Sequence, residues 1–321
     1  MLSSIYAIAH NTALESVRQT VFAVLLLGGI FLLAINPGFA AFSFWDDNKL
    51  LADLGLSTIF MCGMLLSAFT AAGVFHREIE NKTVLSVVSK PIARPAFVVG
   101  KFLGVLFAVG LASYIWTLAF LLSVRHGVMI TTADPFDWPV ILLGIGALLL
   151  SVGLSAAANY WYGWVFNSTL AWILPCLLTL AYVGVLGIDK DWKGQALSKD
   201  WNPQMMWALL LVGEMLALMV ALAVGVSARL GQMMTLGACS IFFVVGLSSD
   251  YLFGRFQESS FIARMLYHLV PNLQVLWISD ALNQDHAVST AYIGTVSMYA
   301  VLYILAFLSL GVALFQTREV G

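Results

Sequence analysis

Glu214 lies deep inside an otherwise apolar run, MMWALLLVGEMLALMVALAVGVSA over 205–228, and no other acidic residue is so placed. A charge there costs roughly 3 kcal/mol or more in a bilayer, and such residues face a bundle interior or an aqueous cavity. Two roles are open: a carboxylate engaged in transport or gating, or a protonated, hydrogen-bonded packing residue, the form a low dielectric favours. The only cation in the stretch is Arg229 at its far end, so the sequence names no partner. Soft sulfur that suits Cu(I) is present in Met61-Cys62-x-Met64 and Met233-Met234. Yet Cys62, Cys176 and Cys239 fall in three different apolar segments without CxxC or ligand spacing, so they read as packing thiols and no metal site or disulfide is expected. Gly100-Lys101 is followed by Phe102, where a phosphate-binding loop needs Ser or Thr, and no GxxxxGK precedes it. The chain is therefore expected not to be an enzyme that hydrolyses ATP by that route. No Ser/His/Asp set, paired carboxylates or HExxH is present, so no catalytic or cofactor-binding residues are expected either.

The elements that position these residues follow from bulk composition. Hydrophobic residues make up 61% and charged residues 10% of 321, with a mean hydropathy of +0.92, far from a soluble domain. Several windows reach the roughly twenty apolar residues that bridge a bilayer as helix. The fold class is an all-α integral membrane protein, a single polytopic bundle of about eight transmembrane helices over 1–321. The net charge of −2 is uninformative, because orientation depends on where Lys and Arg fall.

In order, residues 1–18 form a weakly amphipathic helix with Ile5, Ile8, Ala9 and Val17 on its apolar side, suited to the interface plane. Span one, about 19–35, stops at Asn36-Pro37-Gly38, read as a breaker. Span two covers about 54–75 and span three about 102–124. Span four, about 140–160, ends in Tyr160, Trp161, Tyr162, Trp164 and Phe166, a membrane-interface belt rather than a base-stacking surface, so no nucleic acid is implied. Span five is about 169–188, kinked at Pro175. The next loop interleaves Asp189, Asp191 and Asp200 with Lys190, Lys193 and Lys199; three lysines on the outside oppose the positive-inside rule, and the aspartates offset them. Spans six (about 204–228) and seven (about 233–252) precede an extracytoplasmic amphipathic segment, 250–289, and span eight is about 290–315.

The strongest orientation mark is the loop 76–101. The stretch FHREIENKTVLSVVSKPIARPAFVVGKFLG over 75–104 holds Arg77, Lys82, Lys90, Arg94 and Lys101, five of the 15 Lys and Arg. A short basic loop between spans marks the cytoplasmic side. Lys90-Pro91 disfavours helix at Lys90, whereas Pro95 suits the first turn of a new helix. Between Asn81 and Ser89 there is room for a short surface helix, with Asn81 or Thr83 as N-cap.

These residues carry a resemblance. Glu78-x-x-Asn81-Lys82-Thr83-Val84, Ser89-Lys90-Pro91-Ile92-Ala93-Arg94 and Phe97-Val98-Val99-Gly100-Lys101-Phe102-Leu103-Gly104 resemble the cytoplasmic loop of ABC-2 type transporter permeases. The subgroup they are most similar to is that of multi-copper enzyme maturation, including nitrous oxide reductase assembly. Asn11-Thr12-x-x-Glu15-Ser16-Val17-Arg18 and Tyr267-His268-Leu269-Val270-Pro271-Asn272-Leu273-Gln274 look like elements of the same subgroup. The resemblance implies that the loop is a coupling helix seated on a separate cytoplasmic ABC ATPase, with Glu78, Asn81, Thr83, Lys90, Pro91, Arg94 and Lys101 near it. ATP and Mg would be bound by that ATPase and no cofactor by this chain. It also implies a dimer with a second copy or a paralogue, embedded in lipid in a bacterial cytoplasmic (inner) membrane, with both termini cytoplasmic. The family core has six spans, so spans four and five read as an added pair. The implied function is an ABC transporter permease subunit, an exporter. The competing readings are a non-transporting structural or regulatory membrane subunit, and a proton-coupled carrier using Glu214.

Overall fold

The computed structural model describes residues 2–42, 47–80, 93–129, 134–283 and 287–316, with backbone only at 76–80 and 283. Its helices are α1 (Leu2–Arg18), α2 (Thr20–Ala40), α3 (Asp47–Glu80), α4 (Arg94–His126), α5 (Trp138–Tyr162) and α6 (Phe166–Leu186). After these come α7 (Pro203–Ser227), α8 (Gln232–Leu247), α9 (Ser249–Leu252), α10 (Phe261–Leu269), α11 (Ser279–Asn283) and α12 (Thr290–Gln316). Among the described residues, seven helices are long and apolar enough to cross a membrane: α2, α3 as far as Phe75, α4, α5, α6, α7 and α12. The chain is an all-α polytopic membrane protein.

The expected seventh span is not one straight helix. α8 ends at Leu247, and Gln232–Leu247 and Ser249–Phe256 meet at a bend of 68°. With 16 residues α8 rises about 24 Å, short of the ~30 Å hydrocarbon core. Continuing it would carry Asp250 and Arg255 on through the apolar layer. Instead the chain turns aside, and Asp250 Oδ1 accepts a hydrogen bond from Tyr267 Oη at 2.9 Å. The hydroxyls of α12 satisfy the irregular backbone that follows. Tyr303 Oη donates to His268 O at 2.8 Å, Asn272 N donates to Tyr299 Oη at 2.7 Å, and Tyr292 Oη donates to Val275 O at 2.7 Å. Irregular backbone at membrane depth needs such internal partners. By length and composition α8 and the segment after it form a broken span or a re-entrant loop. The start of α8 follows Arg229, whose Nε donates to Leu314 O at the far end of α12, and its other end packs beside Leu273. Counted as one span, the bent pair brings the number of crossings among the described residues to eight.

α2 corrects the expected break at Asn36-Pro37-Gly38: the helix runs through Pro37 to Ala40. Pro37 has no N–H to give Leu33 O, the ordinary acceptor four residues back. Ser123 Oγ on α4 donates to Leu33 O instead, at 3.0 Å, and Asn36 Nδ2 donates to Leu51 O at 3.3 Å. A neighbouring helix thus repairs what the local sequence breaks. Trp116 of α4 is fully buried, and its Nε1 donates to Leu26 O at 3.0 Å.

α7 is the centre of the bundle, enclosed by α3, α8 and α12, with Met215, Leu218, Met219 and Val220 fully buried. It meets α12 where glycines face each other: a Cβ on Gly311 would lie 2.9 Å from Gly225 Cα. Backbones come this close in membranes because packing, rather than water exclusion, drives helix association.

At the far end of α4 from Arg94, a charged knot closes the loop 187–202. Arg125, at the end of α4, places Nη1 2.9 Å from Asp137 Oδ2, Nε 2.9 Å from Asp200 Oδ2 and Nη2 3.8 Å from Asp189 Oδ1. The Nε–Asp200 pair is a charge contact and not a hydrogen bond, since the N–H is not aimed at the oxygen. Asp137 is completely buried and also caps α5, accepting from Val140 N at 3.3 Å. Lys199 pairs with Asp189 at 3.5 Å, and Lys193 approaches Asp191 at 3.8 Å. Two of the three lysines that opposed the orientation rule, Lys193 and Lys199, therefore sit beside carboxylates, and Asp189, the partner of Lys199, also approaches Arg125.

Candidate functional site

Two places concentrate the chemistry: the base of the 81–92 loop and the surroundings of Glu214. α3 has 34 residues and α4 has 33, so each rises about 50 Å and outruns a hydrocarbon core of ~30 Å by several turns. α4 begins at Arg94 with Pro95 in its first turn, as the sequence predicts, and α3 continues past the expected end at Phe75. Rings lock the base. Phe75 meets Phe97 edge-on at 6.1 Å, and Phe97 stacks on Phe315 of α12 at 5.1 Å.

The end of α12 has no basic residue of its own in its last turn, and its final carbonyls lack helical partners. Two arginines from elsewhere supply them. Arg94 Nη1 donates to Gln316 O at 2.7 Å and Arg229 Nε to Leu314 O at 3.1 Å, cations placed where the helix dipole favours them.

α1 docks on the same base. A Cβ on Gly104 would lie 2.6 Å from Ala9 O and 2.5 Å from Thr12 Cβ, and one on Gly100 would lie 2.8 Å from Ile8 Cβ. Only glycine at these positions, four apart on one face of α4, lets α1 lie this close. The face carrying Ile5, Ile8, Ala9 and Thr12 is the one turned to α4, while Leu2 and Tyr6 stay exposed. Lys101, between the two glycines, is buried, with Nζ 5.5 Å from the centre of the Phe97 ring.

Glu214 sits midway along α7. Its Oε1 accepts a hydrogen bond from Ser297 Oγ of α12 at 2.7 Å, and its Oε2 is buried without a hydrogen-bond partner. The residue lines an open cavity of about 350 Å³ in the groove between α4 and α7, whose α4 wall includes Ser113, Tyr114 and Thr117, with Tyr114 and Leu210 exposed at its mouth. Tyr114 Oη lies 2.8 Å from Thr179 Oγ1 of α6, so three helices contribute polar groups here.

Of the residues singled out in the sequence, Glu214, Arg94 and Lys101 are described in full. Glu78 lies in the last turn of α3. Asn81, Thr83, Lys90 and Pro91, with the expected surface helix, lie outside the described residues. Arg94 is engaged by α12 and Lys101 is buried, so both hold the loop base within this chain. Sequence reasoning missed Ser297, Phe315 and Gln316, which no local pattern marks. It quoted Gly100 and Gly104 without their role, although the small-x-x-x-small spacing was a readable signal.

A bundle of membrane-crossing helices, two of which project together as a braced hairpin, defines the class: a polytopic helical membrane protein with its rigid end on one side. The family described as ABC-2 family transporter protein matches residues 17–232. The chain belongs to that family and is an ABC-2 type membrane permease, a transport protein. The match runs from the end of α1 to the first residue of α8. Comparison with curated proteins finds no match.

Proposed function

We propose that this chain is the permease subunit of an ATP-driven exporter, worked by a separate cytoplasmic ATPase through the loop 76–101. The observation that carries this reading is the α3–α4 hairpin, whose base is gripped at once by α1, Phe315 and the last carbonyls of α12. A push on the loop moves α12 with it. Ser297, 19 residues before Gln316 and so about 28 Å up α12, holds Glu214, giving the motion a route to mid-membrane. ATP and Mg belong to the partner, and this chain is not itself the ATPase. It pairs with a second copy or a paralogue, in a bacterial cytoplasmic membrane with both termini inside. The narrower likeness to permeases of multi-copper enzyme maturation rests on the loop residues and the Pro271-Asn272 element.

Charge reversal tests the coupling. Glu78→Lys combined with Lys90→Glu is expected to lower ATPase co-purification on the order of tenfold, or to leave hydrolysis uncoupled from transport in proteoliposomes, while the bundle stays folded. Unchanged association and unchanged coupling would remove the ATP-driven reading and favour a structural subunit. Orientation is checked separately: single cysteines at Lys82 and Asp47 should be labelled from opposite sides, position 82 from the cytoplasm. Labelling of both from outside overturns the topology.

A further inference from the structure

We propose that the cavity between α4 and α7 binds an alkylammonium group, a protonated amine carrying an apolar body, with Glu214 as its counter-charge. The inference rests on the permease reading and names the substrate class of that carrier. Three observations meet here. Glu214 lines a groove along the membrane-crossing part of the bundle, open at the surface beside Tyr114 and Leu210, and one of its oxygens is satisfied by Ser297 while the other has no protein partner. An unbalanced carboxylate at that depth calls for a cation. The facing wall is unusual too. Ser67, Ser151, Ser155 and Thr179 each return their hydroxyl to the carbonyl four residues back, the ordinary resting place in an apolar helix.

Ser113 and Thr117, one turn apart on the cavity side of α4, make no such bond among the described hydrogen bonds. Their oxygens are left to accept from something in the cavity. The rest of the lining is mostly apolar, with Leu106, Val109, Leu209 and Leu210. A carboxylate on one wall and two accepting hydroxyls on the other match the three N–H donors of a primary ammonium. The aliphatic surround matches its tail, and a volume of about 350 Å³ is that of a small-molecule site. An anionic ligand would meet Glu214 and be repelled.

The test uses the full chain in phosphatidylcholine nanodiscs with labelled dodecylamine as the probe. Saturable binding is expected, with dodecanol and dodecanoate competing at least about tenfold more weakly than unlabelled amine. Glu214→Gln should weaken binding by about tenfold or more, and Ser113→Ala with Thr117→Val should weaken it severalfold, a second route should the first variant fold poorly. Adding phosphatidylethanolamine separates two sources of the same chemistry: competition identifies a lipid headgroup, and its absence a free amphiphile. Equal competition by dodecanol, or binding unchanged in both variants, overturns the proposal in favour of simple partition or a carboxyl that only takes up a proton. ATPase co-purification is scored on the same membranes. An ATPase that associates while no saturable amine binding is seen leaves the permease reading standing and removes only the substrate class.

Discussion

Arg125→Ala is expected to cost about 3–5 kcal/mol, the range for removing one partner of a buried charge pair. The reason lies in what is left behind. Asp137 is completely buried, with one oxygen on Arg125 and the other on Val140 N, so loss of the guanidinium strands a carboxylate that must remain to cap α5. Asp200 and Asp189 lose the same cation, and the loop 187–202 loses its anchor. The thermal midpoint in detergent should fall on the order of 10 °C. Arg125→Lys keeps the charge but cannot serve three carboxylates in one plane, so it should recover only part of the loss. Arg125→Met with Asp137→Ser removes both charges, keeps a capping oxygen and should recover most of it. A fall of less than about 2 °C in Arg125→Ala would show that the knot carries no stability.

The knot also has a pH dependence with a definite sign. Asp189 is held below the ordinary carboxylate range, first by the backbone amide of Lys190, then by the charges of Lys199 and Arg125. A lowered folded-state value means that the unfolded chain binds the proton more readily. This contribution is present at neutral pH and is lost as pH falls through the lowered value. Closure of the loop should therefore weaken only in acid, below the normal range of aspartate.

The contrast between what the sequence announces and what it hides runs along one division. Features set within a single helix were legible: apolar windows long enough to cross, the start of α4 around Pro95, and the docking face of α1. Features that need a second element were not. Pro37 is a breaker by every local rule, and nothing near it foretells that Ser123, 90 residues beyond Leu33, satisfies the Leu33 carbonyl it abandons. The straight span drawn over 233–252 ignored that a short apolar run followed by Asp250 and Arg255 bends when α12 offers tyrosines to the backbone beyond. Glu214 was visible as a charge without a partner, yet Ser297 is invisible as its donor because serine is unremarkable in a membrane helix. Arg94 and Lys101 are legible as cations of the loop base, but their intrachain contacts, to Gln316 O and the Phe97 ring, come from elements that no local pattern marks.

Gly104→Val is expected to unseat α1. Its branched side chain would begin 2.6 Å from Ala9 O and 2.5 Å from Thr12 Cβ, a clash with backbone that no change of rotamer relieves. Overpacking in a close-packed interior costs about 1–3 kcal/mol, and displacement of α1 adds the burial lost at Thr12, Ser16 and Val17. Gly110, six residues further along the same helix, has nothing within 4 Å of its would-be Cβ, so Gly110→Ala should be neutral or slightly stabilising. The pair separates a packing effect from a general intolerance of substitution in α4. Two measurements read it. Protease cleavage within α1 should become rapid in Gly104→Val and stay slow in Gly110→Ala. Under the proposed coupling to an ATPase, Gly104→Val should bind that partner through the intact loop yet transmit poorly, because α1 no longer braces the first turns of α4. Normal coupling with α1 demonstrably released would show that α1 is only a tether, and that the brace consists of the Phe75, Phe97 and Phe315 stack alone.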